Sequence, residues 1–301
     1  MPSMSYDRHC AEIVAQAALL TSRLADADLA APVPTCPGWN LAHLLRHLGG
    51  AHRWVETIVR TRASEPVSDE QVNNVSSATD EDPAALGAWL TKGAEQLADT
   101  LREAGPETAV WTVAPGGTPV FWARRMVHET VVHRADVTFA VDASSSARQG
   151  PAGGAEFGVA ADVAADALDE WLSFGPLPEV FEAGPELRTL MSGGRTLSFR
   201  ATDLVQQPEA ARANGPQNAA EWLVGFDGDA LTWRRGHAEA DVTVRGPLAD
   251  LVLFVYGRCT ARGFADGPGR VRGPGGDRVE VLGDAALLRA WLDATSFWLK
   301  E

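Results

Sequence analysis

Along the first part of the chain apolar residues return at intervals of three and four, the period of a helix with one buried face. Glu12 to Leu24 shows this in an Ala- and Leu-rich run, and Leu41 to Thr61 follows with Asn40 placed to cap it. Pro83 suits the first turn of a third helix reaching about Glu103, and Phe121 to Val141 predicts a fourth. Turn formers separate them: Pro32 to Asn40, the polar segment Pro66 to Asp82, and Ala114 to Pro119. A Ser- and Gly-rich stretch, Ser144 to Gly154, precedes one more helical run from Glu156 to Ser173. Four or five helices joined in this way predict an antiparallel bundle.

The texture changes near Gly175-Pro-Leu-Pro178. Short alternating runs follow, at Thr196 to Ala201, Glu221 to Phe226, Ala230 to Arg234 and Ala240 to Arg245, the period of half-buried strands. Phe226-Asp-Gly-Asp229 between two of them is a hairpin signal. Leu248 to Tyr256 reads as a short apolar helix, Arg278 to Leu282 as a strand, and Ala285 to Trp298 as a closing helix. The expectation is α plus α+β: a helical bundle over residues 1–177 and a small α+β domain over residues 178–301.

Composition narrows the function. Lys and Arg total 26 against 40 Asp and Glu in 301 residues, a net charge of −14, which argues against nucleic acid as a partner. No apolar run is long enough to cross a membrane, and the segment Met1 to Cys10 lacks the pattern of a secretory signal. Cys10, Cys36 and Cys259 are odd in number and widely spaced, which suits reduced thiols in a cytoplasm. Nothing in the sequence demands an oligomer.

Seven histidines carry the candidate chemistry. His43, His47 and His52 fall in the second helix, His128 and His133 in the fourth. At about 100° per residue, Glu129 and His133 lie within roughly 40° of each other on one face, whereas His128 and His133 diverge by about 140°. Helix geometry therefore selects Glu129 with His133 as a chelating pair. A further ligand must come from another helix. His47 is the best candidate, mid-helix and two residues before Gly49-Gly50, where the glycines suggest close backbone approach. His43 is the rival, and His52 should point elsewhere. Two imidazoles and a carboxylate leave coordination positions open, as in a catalytic zinc site.

The stretch Cys36-Pro-Gly-Trp39-Asn-Leu-Ala-His43-Leu-Leu-Arg-His47-Leu resembles the opening motif of the mycothiol-dependent maleylpyruvate isomerase family, whose bundle is DinB-like. Arg125-Met-Val-His128-Glu129-Thr-Val-Val-His133-Arg-Ala-Asp136 is similar to the family segment that gives a glutamate and a histidine to the same metal. Matched residue by residue, the resemblance implies His47, Glu129 and His133 as metal ligands. Arg245 to Arg258 and Val281-Leu-Gly-Asp284 resemble the family's sterol-carrier-like C-terminal domain.

The resemblance implies a zinc enzyme, or one using another divalent metal, with mycothiol as thiol cosubstrate. The implied reaction is thiolate addition to a small, carboxylate-bearing electrophile, converting maleylpyruvate to fumarylpyruvate. It further implies Arg258 as the arginine that meets the substrate carboxylate, against a reading as a cation ending a helix. Two other functions fit the same residues: a mycothiol S-transferase, and a non-catalytic metal- or ligand-binding regulator. Cys36 is expected as a buried structural thiol, Trp39 as packing for its turn, and Trp54 and Trp122 as core or cleft wall. For Asp136 the choice lies between orienting a ligand and facing solvent, and His52 is expected at the surface, with the cleft rim as the alternative.

Overall fold

A computed structural model describes residues 3–70, 82–114, 116–149, 157–191, 193–203, 220–227, 230–259, 269–273 and 276–296. The expected loop residues 71–81, 115 and 150–156, the turn at 228–229 and the end of the last helix beyond 296 lie outside them. The chain forms two compact units, Met4–Phe157 and Gly158–Glu301.

The first unit is helical. Helix α1 spans Tyr6–Thr21 and starts ahead of the expected Glu12, because the Ser5 side chain accepts from Arg8 N at 3.2 Å and caps the polar first turn. Helix α2 occupies Leu41–Thr61 as the pattern predicts; Asn40 Oδ1 accepts from His43 N at 2.8 Å, and Arg62, at φ +51°, ends it. Helices α3, Pro83–Ala104, and α4, Pro119–Gln149, complete the set. Both α1 and α2 pack against α3 and α4, the arrangement of a four-helix bundle. Leu20, Leu41, Leu44, Leu45, Leu48, Leu90, Val137 and Ala140 form one apolar cluster in it.

The segment before α2 folds back on itself. Val33 N donates to Trp39 O at 2.9 Å and Leu41 N to Ala31 O at 3.0 Å, and Gly38 sits at φ +88°, a region that favours glycine. The turn residues Thr35 to Trp39 are thereby fixed against the start of α2.

The second unit contains helices α5 (Ala161–Phe174), α6 (Pro178–Ala183) and α7 (Pro185–Met191), then strands β1 (Thr196–Ala201), β2 (Glu221–Asp227), β3 (Ala230–Arg235) and β4 (Val242–Gly246). Helix α8 (Leu248–Val255), strands β5 (Gly269–Gly273) and β6 (Gly276–Gly283), and helix α9 (Ala285–Thr295) follow. The six strands form a mixed sheet in the order β3-β2-β1-β4-β6-β5, in which only β1 and β4 are parallel neighbours. Leu197 and Phe199 of β1, Trp222 of β2, and Val242 and Val244 of β4 are buried, with Phe199 5.4 Å from the Trp291 ring of α9. Two features go beyond the expected pattern: the short helices α6 and α7, which pack on α9, and the edge strand β5. Helix α5 groups with the sheet rather than with the bundle. It packs on α8, and Asp169 on it accepts from Trp222 and Arg235 of the sheet, so the units divide after residue 157 and not at 177.

Candidate metal centre

Helices α2 and α4 run in opposite directions, so His47 meets Glu129 while Trp54 meets Trp122, whose rings are 5.1 Å apart. At the first of these levels three donors converge. His47 Nε2 lies 3.4 Å and His133 Nε2 3.0 Å from the same oxygen, Glu129 Oε1. The two imidazole rings face edge to face at 5.2 Å between centroids. Both histidines are buried, and the Glu129 side chain keeps 23 % of its exposure.

The spacing suits a metal. Two donors each about 2.0–2.1 Å from a common zinc, at a tetrahedral angle, stand roughly 3.3–3.4 Å apart. The donor atoms of His47, Glu129 and His133 all lie within 4.8 Å of one another, and nitrogen–oxygen donor sets of this kind are what divalent zinc accepts. The residues therefore fit the group.

Electrostatics shape the trio itself. Burial alone would push the His133 imidazole down, but the charge of Glu129 and hydrogen bonds with Asp136 and Glu129 reverse this and raise it to about 9. Burial would raise the Glu129 carboxyl; His133, the hydrogen bond with His47, and Arg125 instead hold it well below the usual range. Arg125 Nη2 donates to Glu129 Oε2 at 3.0 Å from one helical turn earlier. Sequence reasoning passed over Arg125, although its spacing of four residues from Glu129 is the usual signal for a helical ion pair.

The remaining histidines are elsewhere. His43 stacks on Trp39 with centroids 4.3 Å apart and an interplanar angle of 15°, outside the trio. His128 is fully buried and meets His9 edge-on at 6.5 Å. His52, expected at the surface, is fully buried instead: five residues beyond His47 it turns towards α4, where its Nε2 lies 2.9 Å from Thr130 Oγ1. Thr130 donates its own proton to Met126 O at 2.6 Å, so His52 is the donor in that pair. Burial, with Arg53 adding to it, lowers His52 to about 3 and keeps it neutral.

Around the trio the turn and the aromatic residues take their places. Trp39 lies 4.9 Å from the His47 ring and 6.3 Å from His133. Asp136 is fully buried rather than solvent-facing, with Oδ2 2.9 Å from His133 Nδ1. Cys36 is half-buried and its thiol is 3.5 Å from Asp136 Oδ2. The close approach suggested by Gly49 is made by Trp89 of α3, whose ring occupies the space a Cβ would need. Arg53 covers that ring at 3.8 Å and donates to Gly49 O and Trp89 O. Arg258 belongs to the second unit, just past the end of α8, where its Nη1 donates to Tyr256 O at 2.8 Å.

Residues 10–138, within the helical unit, match the family model of the mycothiol maleylpyruvate isomerase N-terminal domain. Among solved structures, the chain is similar to the crystal structure of the mycothiol-dependent maleylpyruvate isomerase, at 14 % identity and a TM-score of 0.49, covering 90 % of this chain and 95 % of that one. A crystal structure of a histidine-to-alanine mutant of the mycothiol-dependent maleylpyruvate isomerase gives 12 % identity, a TM-score of 0.48, and 86 % and 92 % coverage. Comparison with curated proteins gives no match. No helix among the described residues is long and apolar enough to cross a membrane.

Proposed function

We propose that the chain is a zinc- and mycothiol-dependent enzyme that isomerises maleylpyruvate to fumarylpyruvate. The observation that carries this reading is the convergence of His47, Glu129 and His133 inside the stretch matched by the family model. A divalent metal held by these three would favour the thiolate form of a thiol at its open positions. The chemistry a thiol supplies there is reversible addition to an activated cis double bond, rotation about the resulting single bond, and expulsion of the same thiol, so that no atom is gained or lost.

The protein's own groups set the conditions for that chemistry. His47 and His133 present Nε2 to one point, and Glu129 brings a negative charge that offsets part of the metal's. Arg125 keeps that carboxylate ionised and oriented. The Glu129 side chain keeps 23 % of its exposure, and the Trp39 ring packs beside both histidines. Arg258 is proposed as the guanidinium that takes a substrate carboxylate, a role its planar fork of donors suits.

The test is direct. Purified chain supplied with zinc, mycothiol and maleylpyruvate should form fumarylpyruvate, and omission of the thiol should abolish the reaction. Arg258→Ala should raise KM for maleylpyruvate more than Arg258→Lys does. Failure to turn over maleylpyruvate, with conjugates formed on other electrophiles, would replace the isomerase reading with S-transfer.

A further inference from the structure

Asp136 occupies an unusual position for a carboxylate in an acidic chain. It lies three residues after His133 on α4 and has no solvent exposure. Three donors surround it: His133 Nδ1 at 2.9 Å from Oδ2, Thr35 Oγ1 at 2.6 Å from Oδ1, and Cys36 Sγ at 3.5 Å from Oδ2. Two of these come from the turn that leads into α2, the helix carrying His47. One buried carboxylate therefore ties the approach to one ligand-bearing helix to the ligand on the other.

We propose that Thr35 and Asp136 are positioning residues for metal binding: Thr35 fixes the Asp136 carboxylate, which takes the Nδ1 proton of His133 as a hydrogen bond and leaves Nε2 for the metal. This rests on the metal reading above. A neutral imidazole has one N–H, and the partner of one nitrogen decides which lone pair the other offers. Here Nδ1 faces Asp136 and Nε2 faces Glu129 and His47, so the two sides of the ring have separate tasks.

Thr35 matters because a buried carboxylate must be supplied with donors and held at one rotation to do this. The hydroxyl makes the shortest contact in the group and stands on the Oδ1 side, opposite the imidazole. The turn in which it sits is braced by its own backbone bonds, including Trp39 N to Cys36 O at 3.1 Å and Cys36 N to Val33 O at 3.1 Å. The second arrangement these atoms offer is a metal on the Nδ1 side. The donors of Cys36, His133 and Asp136 also lie within 4.8 Å of one another, so the test must separate the two.

The experiment measures zinc affinity of the full metal-stripped chain by competition with a chromophoric chelator. It compares the natural chain with His47→Ala, Asp136→Asn, Thr35→Val, Thr35→Ser and Cys36→Ala, and follows each with the visible spectrum of the cobalt-substituted protein. Asp136→Asn should weaken zinc about 10–100-fold, the range for loss of a ligand's hydrogen-bond partner. Thr35→Val should weaken it in the same direction by less, and Thr35→Ser should restore it. The cobalt bands should move in the two weakened variants, while circular dichroism of the metal-free proteins stays unchanged.

Three results are decisive. If the natural chain binds no zinc, or His47→Ala binds it as well as the natural chain, the metal reading fails and this inference with it. If His47→Ala loses zinc while Asp136→Asn and Thr35→Val keep natural affinity and spectrum, the positioning role alone is overturned. If Cys36→Ala loses as much affinity as His47→Ala, the metal engages the Nδ1 side and the proposal is wrong.

Discussion

Each unit of the molecule contains a cluster of buried charge, and the two are built on opposite plans. In the second unit Asp169 accepts from Trp222 Nε1 at 2.7 Å and from Arg235 Nε at 3.0 Å, and Arg235 reaches its other oxygen as well. Charge meets opposite charge, and α5 is pinned to β2 and β3. In the helical unit two imidazoles and a carboxylate aim at one point, with a proton between His133 and Glu129 and Arg125 on the carboxylate's other oxygen. A cluster of the first kind is complete as it stands, whereas the second gains most when a cation replaces the proton. Burial and short distances are common to both; the sign of what they converge on tells a fastening from a binding site.

The largest effect that separates them comes from the proposed metal ligands. Replacing Glu129 or His133 by Ala should weaken zinc by more than the roughly 100-fold upper range for a ligand's neighbour, measured as bound metal after dialysis. The folding of the second unit should be unchanged. Asp169→Ala should do the reverse, leaving the Arg235 guanidinium and the Trp222 N–H short of their acceptor. We expect a loss of about 2–4 kcal/mol, near the lower end for a broken buried pair because Arg235 keeps 20 % exposure. Denaturant titration would show it; any fall in zinc affinity in this variant would blur the distinction.

A smaller effect tests the packing that carries His47. Gly49→Ala puts a methyl into the Trp89 ring, and overpacking of this kind costs about 1–3 kcal/mol. The Arg53 guanidinium stacked on that ring must move too. Stability measured by denaturation should drop, and Trp89→Ala in the same chain should recover part of it. Additive losses in the double variant would sink this account of the glycine.

What the sequence made legible follows from where the information is local. Helix α2 is bounded by its cap at Asn40, and the Glu129–His133 pair follows from the helical period, so both could be read in advance. Strand β1 likewise carries its alternation in its own residues. Asp136 and His52 could not be read this way. Their burial depends on which helix or turn lies opposite, and Thr35 meets Asp136 across 101 residues with no periodic signal joining them. Helix α5 has a bundle-like pattern, but its partners α8 and β2 lie far along the chain, and they decide the unit it joins. Strand β5, Gly-Arg-Val-Arg-Gly, has one apolar side chain and exists as a strand through its pairing with β6.

The finest test contrasts two imidazoles within the helical unit. His133 is raised to about 9 and His52 lowered to about 3, from an ordinary 6.5. For His133 the folded value lies above the unfolded one, so its contribution to stability is complete below pH 6.5 and is lost as pH rises through 9. For His52 the folded value lies below, so its contribution is present above pH 6.5 and is lost as pH falls towards 3. The metal-free chain should therefore lose stability from these two groups on both sides of about pH 6.5. On the proposed reading zinc would displace the His133 proton, so its affinity should rise about tenfold per pH unit up to pH 9 from this group alone, with one proton released. Denaturant midpoints measured from pH 5.5 to 9.5, with and without zinc, should show the alkaline decline only in the metal-free protein. An alkaline decline of equal size with zinc bound would mean that His133 is not where the metal sits.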